Sequence, residues 1–221
     1  MTTKEKKLCI YCLKNIGDTA DHVPPKSFFV KPRPVNLITV PCCEECRKEQ
    51  PSDDEYFKTA IVSSRDVSEQ DATQPLVESV KRALVRPRSR GFAQLVSDSM
   101  VELDVHSGSG IFLGTAGAFN LDKSRMDRVA QRILRGLYFH EFGKALPLHY
   151  DVSNVCSQQG FTHCSEILDK IAFPTPVEIG NTFWYTYAAV PEDPYTSVWL
   201  QVFYNALPFV GFTKNPAHKK E

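Results

Sequence analysis

The chain has 221 residues, 42% of them hydrophobic and 24% charged, and its 26 basic and 26 acidic side chains leave a formal net charge of zero. That balance excludes a protein that coats nucleic acid through bulk charge and confines any phosphate contact to local patches, while the apolar content can fill one large core or two small ones. The opening M-T-T-K-E-K-K has no apolar signal core, and no run of about 18 apolar residues follows, so a cytoplasmic protein without a membrane span is expected.

Behind the basic residues Lys4, Lys6 and Lys7, two Cys-x-x-Cys pairs stand close together: C-I-Y-C at Cys9 and Cys12, and C-E-E-C at Cys43 and Cys46. Four thiolates at this spacing form the tetrahedral sulfur set that zinc prefers. So short a segment has little apolar area of its own, and structural zinc returns an apparent binding energy on the order of 10–16 kcal/mol as folding energy. Two redox or disulfide pairs would be the alternative, but nothing marks the chain as secreted, and a thioredoxin-type site uses one pair after a strand of a βαβ unit. Cys42 adjoins Cys43 and competes with it as ligand; the two-residue spacer to Cys46 favours Cys43. Cys42, Cys156 and Cys164 are then reduced thiols.

Between the pairs the chain reads T-A-D-H-V-P-P-K-S-F-F, then N-L-I-T-V-P, then the second pair. The order D-H-x-x-P-x-S, N-L and C-x-x-C resembles the zinc-bearing HNH endonucleases over roughly residues 9–57. The resemblance implies a ββα-metal unit inside a treble-clef zinc scaffold. Carried over residue by residue, His22 resembles the general base, Asp21 a ligand of a catalytic divalent ion such as Mg2+, and Asn36 the residue that holds the loop and orients the histidine. The chemistry needs those types. A neutral imidazole takes a proton from water near neutral pH, a hard oxygen ligand holds the cation that neutralises transition-state charge, and an amide fixes the imidazole without competing for its proton. One position departs from the pattern. Where the family usually places a histidine or asparagine after the last knuckle cysteine, as second ligand of the catalytic metal, this chain has Arg47, whose guanidinium cannot bind a cation. Either metal chemistry is lost or the acidic run Asp53, Asp54, Glu55 substitutes, and Arg47 is free to clamp a phosphate. Lys26, in the proline-rich loop with Lys31 and Arg33, is placed for a phosphate contact or is simply solvated.

Farther along, S-D-D-E from Ser52 to Glu55 reads as a capping box that opens one helix over 52–66. The polar segment Arg65 to Pro75 marks a junction, giving a zinc-bound HNH-like module over 1–66 and an α+β domain of unrecognised type over 67–221. Apolar residues recur at helical spacing from Leu76 to Met100, broken at Pro87 and Gly91. Lys81, Arg82, Arg86, Arg88 and Arg90 form the strongest basic patch, which serves either nucleic acid or solvent. Val101 to His106 and the following I-F-L-G, joined by S-G-S-G, form a hairpin with His106 on its polar face. A helix over about 122–142 carries Met126, Val129, Ala130, Ile133 and Leu137 on a core face and Arg125, Arg128, Arg132 and Arg135 on the other, where they track DNA or are solvated. His140 falls near its C-terminus in a capping or packing role, Gly143 stops it, and His149, His163 and His218 have no partner at metal-ligand spacing. Two aromatic and β-branched runs around P-E-D-P pair antiparallel, with Tyr185, Trp199, Phe203 and Tyr204 in the core.

The sequence therefore points to an α+β protein, an N-terminal treble-clef HNH module followed by a mixed helix and antiparallel-sheet domain. Its first functional reading is metal-dependent hydrolysis of DNA, with the C-terminal domain choosing the target, forming a homodimer or docking a protein partner. The alternatives are a catalytically degenerate, zinc-stabilised nucleic-acid-binding module and a zinc-finger adaptor.

Overall fold

The computed structural model describes residues 7–155, 164–166 and 168–216. Lys4, Lys6, Cys156, His163 and His218 lie outside the described residues. The architecture is mixed α+β with antiparallel sheets. The first Cys-x-x-Cys forms a tight turn in which the Leu13 N–H donates to the Cys9 carbonyl at 2.9 Å and Leu13 sits at φ 54°. Strands β1 (Thr19–Val23) and β2 (Ile38–Cys42) pair antiparallel with Asp21 opposite Val40 and His22 opposite Thr39. A Cβ on Gly17 would stand 2.6 Å from the Cβ of Pro41, so the approach of the turn to β2 requires glycine there.

Helix α1 (Glu44–Glu49) carries Cys46, and α2 (Pro51–Val62) follows almost at once. The capping box expected at Ser52 does not form. Pro51, with φ fixed near the helical value and no N–H to satisfy, takes the first helical position, so Ser52 lies inside the helix and Gln50 is the N-cap without a side-chain bond. The helix also ends earlier than read, at Ser63, and Arg65–Ser68 forms a separate turn, α3. Helices α4 (Gln74–Leu84) and α5 (Arg90–Asp98) flank the break at Pro87. Gly91 does not break the chain as read; it lies in the first turn of α5, where the helix has already begun.

Strands β3 (Met100–His106) and β4 (Phe112–Phe119) make the expected hairpin. The alternation does not bury a face, because every residue of β3 is exposed, including Leu103 at 54%. Helix α6 (Lys123–Phe142) starts at Asp122, whose side chain accepts from the Arg125 N–H, and ends at Gly143 in the left-handed conformation. Its predicted face is buried, and so are Leu134, Gly136 and Tyr138, because the helix is packed from more than one side. One flank meets α2, β1 and β2; another meets the C-terminal sheet.

That sheet has the order β5-β9-β8-β7-β6, from β5 (Asp151–Val155), β6 (Val177–Ile179), β7 (Phe183–Val190), β8 (Asp193–Phe203) and β9 (Leu207–Lys214). Tyr185, Trp199, Phe203 and Tyr204 are buried as expected. One hydrophobic cluster runs from Ile10, Val23 and Phe28 through Phe57 and the α6 face to Phe203 and Phe209, crossing the junction read near residue 66. Among the described residues, no helix is long and apolar enough to cross a membrane.

Candidate functional site

Two polar clusters lie on the N-terminal segment. In the first, the ligand atoms of Cys9, Cys12, Cys43 and Cys46 all fall within 4.8 Å of one another, a set that can hold a metal ion such as zinc. Bonds of about 2.3 Å in a tetrahedron place sulfurs roughly 3.8 Å apart, and Cys12 Sγ stands 3.8 Å from Cys43 Sγ. Supporting donors are also present. The Asn15 amide points at Cys43 Sγ from 3.7 Å, and the backbone N–H of Asn15 is the main influence drawing the Cys12 thiol down to about 7, toward the thiolate a metal binds. Cys42 is fully buried but outside the set. Its thiol donates to the Cys43 carbonyl at 3.3 Å, and burial pushes it up to about 12, which keeps it protonated. Cys43, which the two-residue spacer favours, is the member of the pair that lies with Cys9, Cys12 and Cys46.

The second cluster surrounds Asp21. Successive side chains of β1 point to opposite faces of the ribbon. Asp21 lies on the face that carries Val23, Ile38 and Val40 toward α6, and its carboxylate is closed on both oxygens: Oδ2 accepts from the Tyr11 hydroxyl at 2.7 Å and lies 3.9 Å from Arg132 Nε, and Oδ1 accepts from the His22 backbone N–H at 3.0 Å. Arg132 also bonds Asp54 of α2 through Nη2. Beside this pair, Arg128 Nε donates to Asp53 Oδ2 at 2.7 Å, and Arg125 Nε is 3.4 Å from Asp53 Oδ1. The side chains of Asp21, Asp54 and Arg132 are only 14%, 17% and 12% exposed. Burial works against the Arg132 charge, yet Asp54 and Asp21 hold its guanidinium above its ordinary value. Arg135, the fourth of the stripe, donates to the Leu146 carbonyl at 3.0 Å. Three of the four arginines, Arg125, Arg128 and Arg132, are thus paired with carboxylates and join α6 to α2 and, through Arg132, to β1, although the Arg128 side chain stays 56% exposed. The pairing of Arg128 and Arg132 is tertiary, since Asp53 and Asp54 lie 75 and 78 residues away in the chain.

His22 lies on the outer face with Ala20 and Thr39. Partial burial, and then the charge of Lys26, hold its imidazole below the ordinary value; Asp21 pulls the other way, and Arg33 adds a still smaller push downward. Both cations are exposed, and Arg33 Nε donates to the Lys26 carbonyl at 2.9 Å, which ties the two positions of the loop together. Next to this face a groove of about 610 Å³ runs along Gly17, Asp18, Ala20 and Thr39 to Lys7 and Phe139. Asn36 is exposed and its amide donates to the Glu178 carbonyl of β6 at 3.0 Å, fastening the loop to the C-terminal sheet. Arg47 is exposed on α1.

The structure thus gathers the four cysteines, brings Lys26 and Arg33 around His22, and separates the Asp21 and His22 side chains onto two faces. A divalent cation does not fit the Asp21 side as it is arranged. Three carboxylates, Asp21, Asp53 and Asp54, already face three guanidinium groups, Arg125, Arg128 and Arg132. Tyr11 and Arg132 are the residues that sequence reasoning missed here. The α6 arginines recur at helical spacing and Asp53 and Asp54 stand side by side, but nothing local in the sequence pairs the two sets. Comparison with protein-family models, curated proteins and solved structures finds no match to this chain.

Proposed function

We propose that this chain is a zinc-stabilised HNH-type module of treble-clef design that engages DNA phosphates through the outer face of β1 and β2 and does not rely on a divalent ion for its local charge balance. Cys9, Cys12, Cys43 and Cys46 hold the zinc, which supplies folding energy and fixes the ribbon against α1. Lys26 and Arg33 meet backbone phosphates around His22, and Arg47 adds a contact from α1. The observation that carries this reading is the division of the Asp-His pair: the histidine stands outside among cations, the aspartate inside against Arg132 and Tyr11. Hydrolysis is a second reading, the metal-dependent HNH endonuclease. It is favoured by His22 being held below its ordinary pKa, hence neutral and able to take a proton from water at pH 7. It requires a charge-neutralising cation that Asp21 does not offer while it holds Arg132.

Two assays on the zinc-loaded chain separate the readings. Anisotropy of a labelled duplex across salt concentrations should give an affinity that falls linearly in log salt, with a slope reduced by about 0.9 for each phosphate contact removed by Lys26→Ala or Arg33→Ala. Supercoiled plasmid with magnesium, manganese or chelator should stay intact. Metal-dependent relaxation that His22→Ala abolishes would establish the endonuclease instead. Absence of any salt-sensitive binding would leave the adaptor.

A further inference from the structure

We infer that Arg132 is the resident cation of the β1–α2 cleft, standing where an HNH-type module holds its catalytic metal, so that this chain takes no divalent ion at Asp21. The inference rests on the HNH-type reading of the module for the expectation that a cation belongs there. The rest comes from the molecule.

Asp21 leaves the ribbon and Asp54 leaves α2, and both reach the same side chain, which comes from a helix of the C-terminal half. Two carboxylates converging from a strand and a helix form the kind of hard-oxygen pair that binds a divalent ion. Here the pair is already neutralised. Asp21 Oδ2 has the Tyr11 hydroxyl and the guanidinium on it, and Oδ1 has a backbone N–H. The neighbouring Asp53 is matched by Arg125 and Arg128. An ion entering this space would leave the buried guanidinium without partners, and a charge removed from water and left unpaired is among the least favourable arrangements in a protein. Arg47 points the same way, because the position after Cys46 also carries a guanidinium in place of a ligand. Beyond Arg132 lies a cavity of about 300 Å³ lined by Tyr11, Cys46, Gln50, Asp53 and Arg128, so removal of the guanidinium leaves room rather than collapse.

The test is Mn2+ binding to the full-length, zinc-loaded chain, read from the loss of the free-ion EPR signal. Wild type should show no site that Asp21→Asn removes. Arg132→Gln should gain one site, at least tenfold tighter than any residual binding by wild type, and Asp21→Asn in that background should abolish it. A wild-type Mn2+ site lost in Asp21→Asn overturns the inference, as does a folded Arg132→Gln chain that gains no site. If Arg132→Gln does not fold, as judged by zinc content and circular dichroism, the wild-type and Asp21→Asn comparison decides alone. No DNA is present in this measurement, so failure of the DNA-binding reading leaves it standing, and its own failure leaves DNA binding to be judged by anisotropy.

Discussion

The N-terminal segment holds two polar clusters built on opposite terms. The four cysteines are a set of soft ligands able to hold an ion, whereas the carboxylates of Asp21, Asp53 and Asp54 arrive with three arginines already facing them. The first cluster can hold an ion from outside. The second completes itself with α6, and so makes the N-terminal segment depend on a helix far along the chain for its charge balance. A D-H pair next to Cys-x-x-Cys pairs thus does not by itself imply a metal at the aspartate; what faces the aspartate decides.

The sharpest way to break this comparison is to deprive each cluster of its cation. Cys46→Ser, or a strong chelator, should unfold the segment around β1 and β2, since structural zinc contributes on the order of 10–16 kcal/mol of apparent binding energy. The readout is zinc content together with a melt. Chelation that strips zinc without lowering the melting temperature would mean the cysteines are bystanders. Arg132→Met should have the next largest effect, about 3–5 kcal/mol in urea unfolding, because it leaves Asp21 and Asp54, both largely shielded from water, without their guanidinium. Arg128→Ala, whose side chain is 56% exposed, should cost no more than about 1 kcal/mol. Equal losses from the two would contradict the picture of Arg132 as the internal cation.

Much of the fold was legible because it is local. The Cys-x-x-Cys spacing, the amphipathic run from Met126 to Leu137, the Asp122 and Gly143 boundaries and the paired aromatic strands each declare themselves within a few residues. The capping box at Ser52 was misread for a local reason also, since Pro51 outranked Ser52 as the place to begin a helix. What was not legible is long-range. Arg132 looks like any solvated arginine of a helix until Asp21 and Asp54 are brought to it, and Leu134 and Tyr138 fall off the predicted stripe because a second layer packs on α6. The alternation of β3 promises a buried face and none forms. Strand β9, which unites β5 with β8, follows a tight turn at Tyr204 and Asn205, both at φ 54°, for which no glycine gives notice.

The union of α6 with the ribbon can also be tested sterically, at a smaller expected cost. A Cβ on Gly136 would stand 2.4 Å from Cγ2 of Val23, so the helix lies against β1 only because this residue has no side chain. Alanine in mid-helix ordinarily gains about 1 kcal/mol over glycine. Gly136→Ala should nevertheless destabilise the chain by about 1–3 kcal/mol, as overpacking does, and it should weaken the Arg132 contacts by moving α6 outward. A net gain in stability would show that the ribbon yields freely, and that the alignment of Arg132 with Asp21 does not depend on this close approach.

The smallest effect expected is the pH dependence of the outer face. His22 is held below its ordinary value by partial burial and by Lys26 and Arg33. Between its folded and unfolded values, the latter about 6.5, the unfolded chain binds more protons, so this residue's contribution to stability is present above that window and is lost as pH falls through it. The difference in unfolding free energy between wild type and His22→Gln should be flat above the window and turn against wild type on acidification. The opposite slope would mean that the fold favours the imidazolium. His22 would then feel Asp21 more than Lys26 and Arg33, and the two faces of β1 would not be separated in charge as their geometry implies.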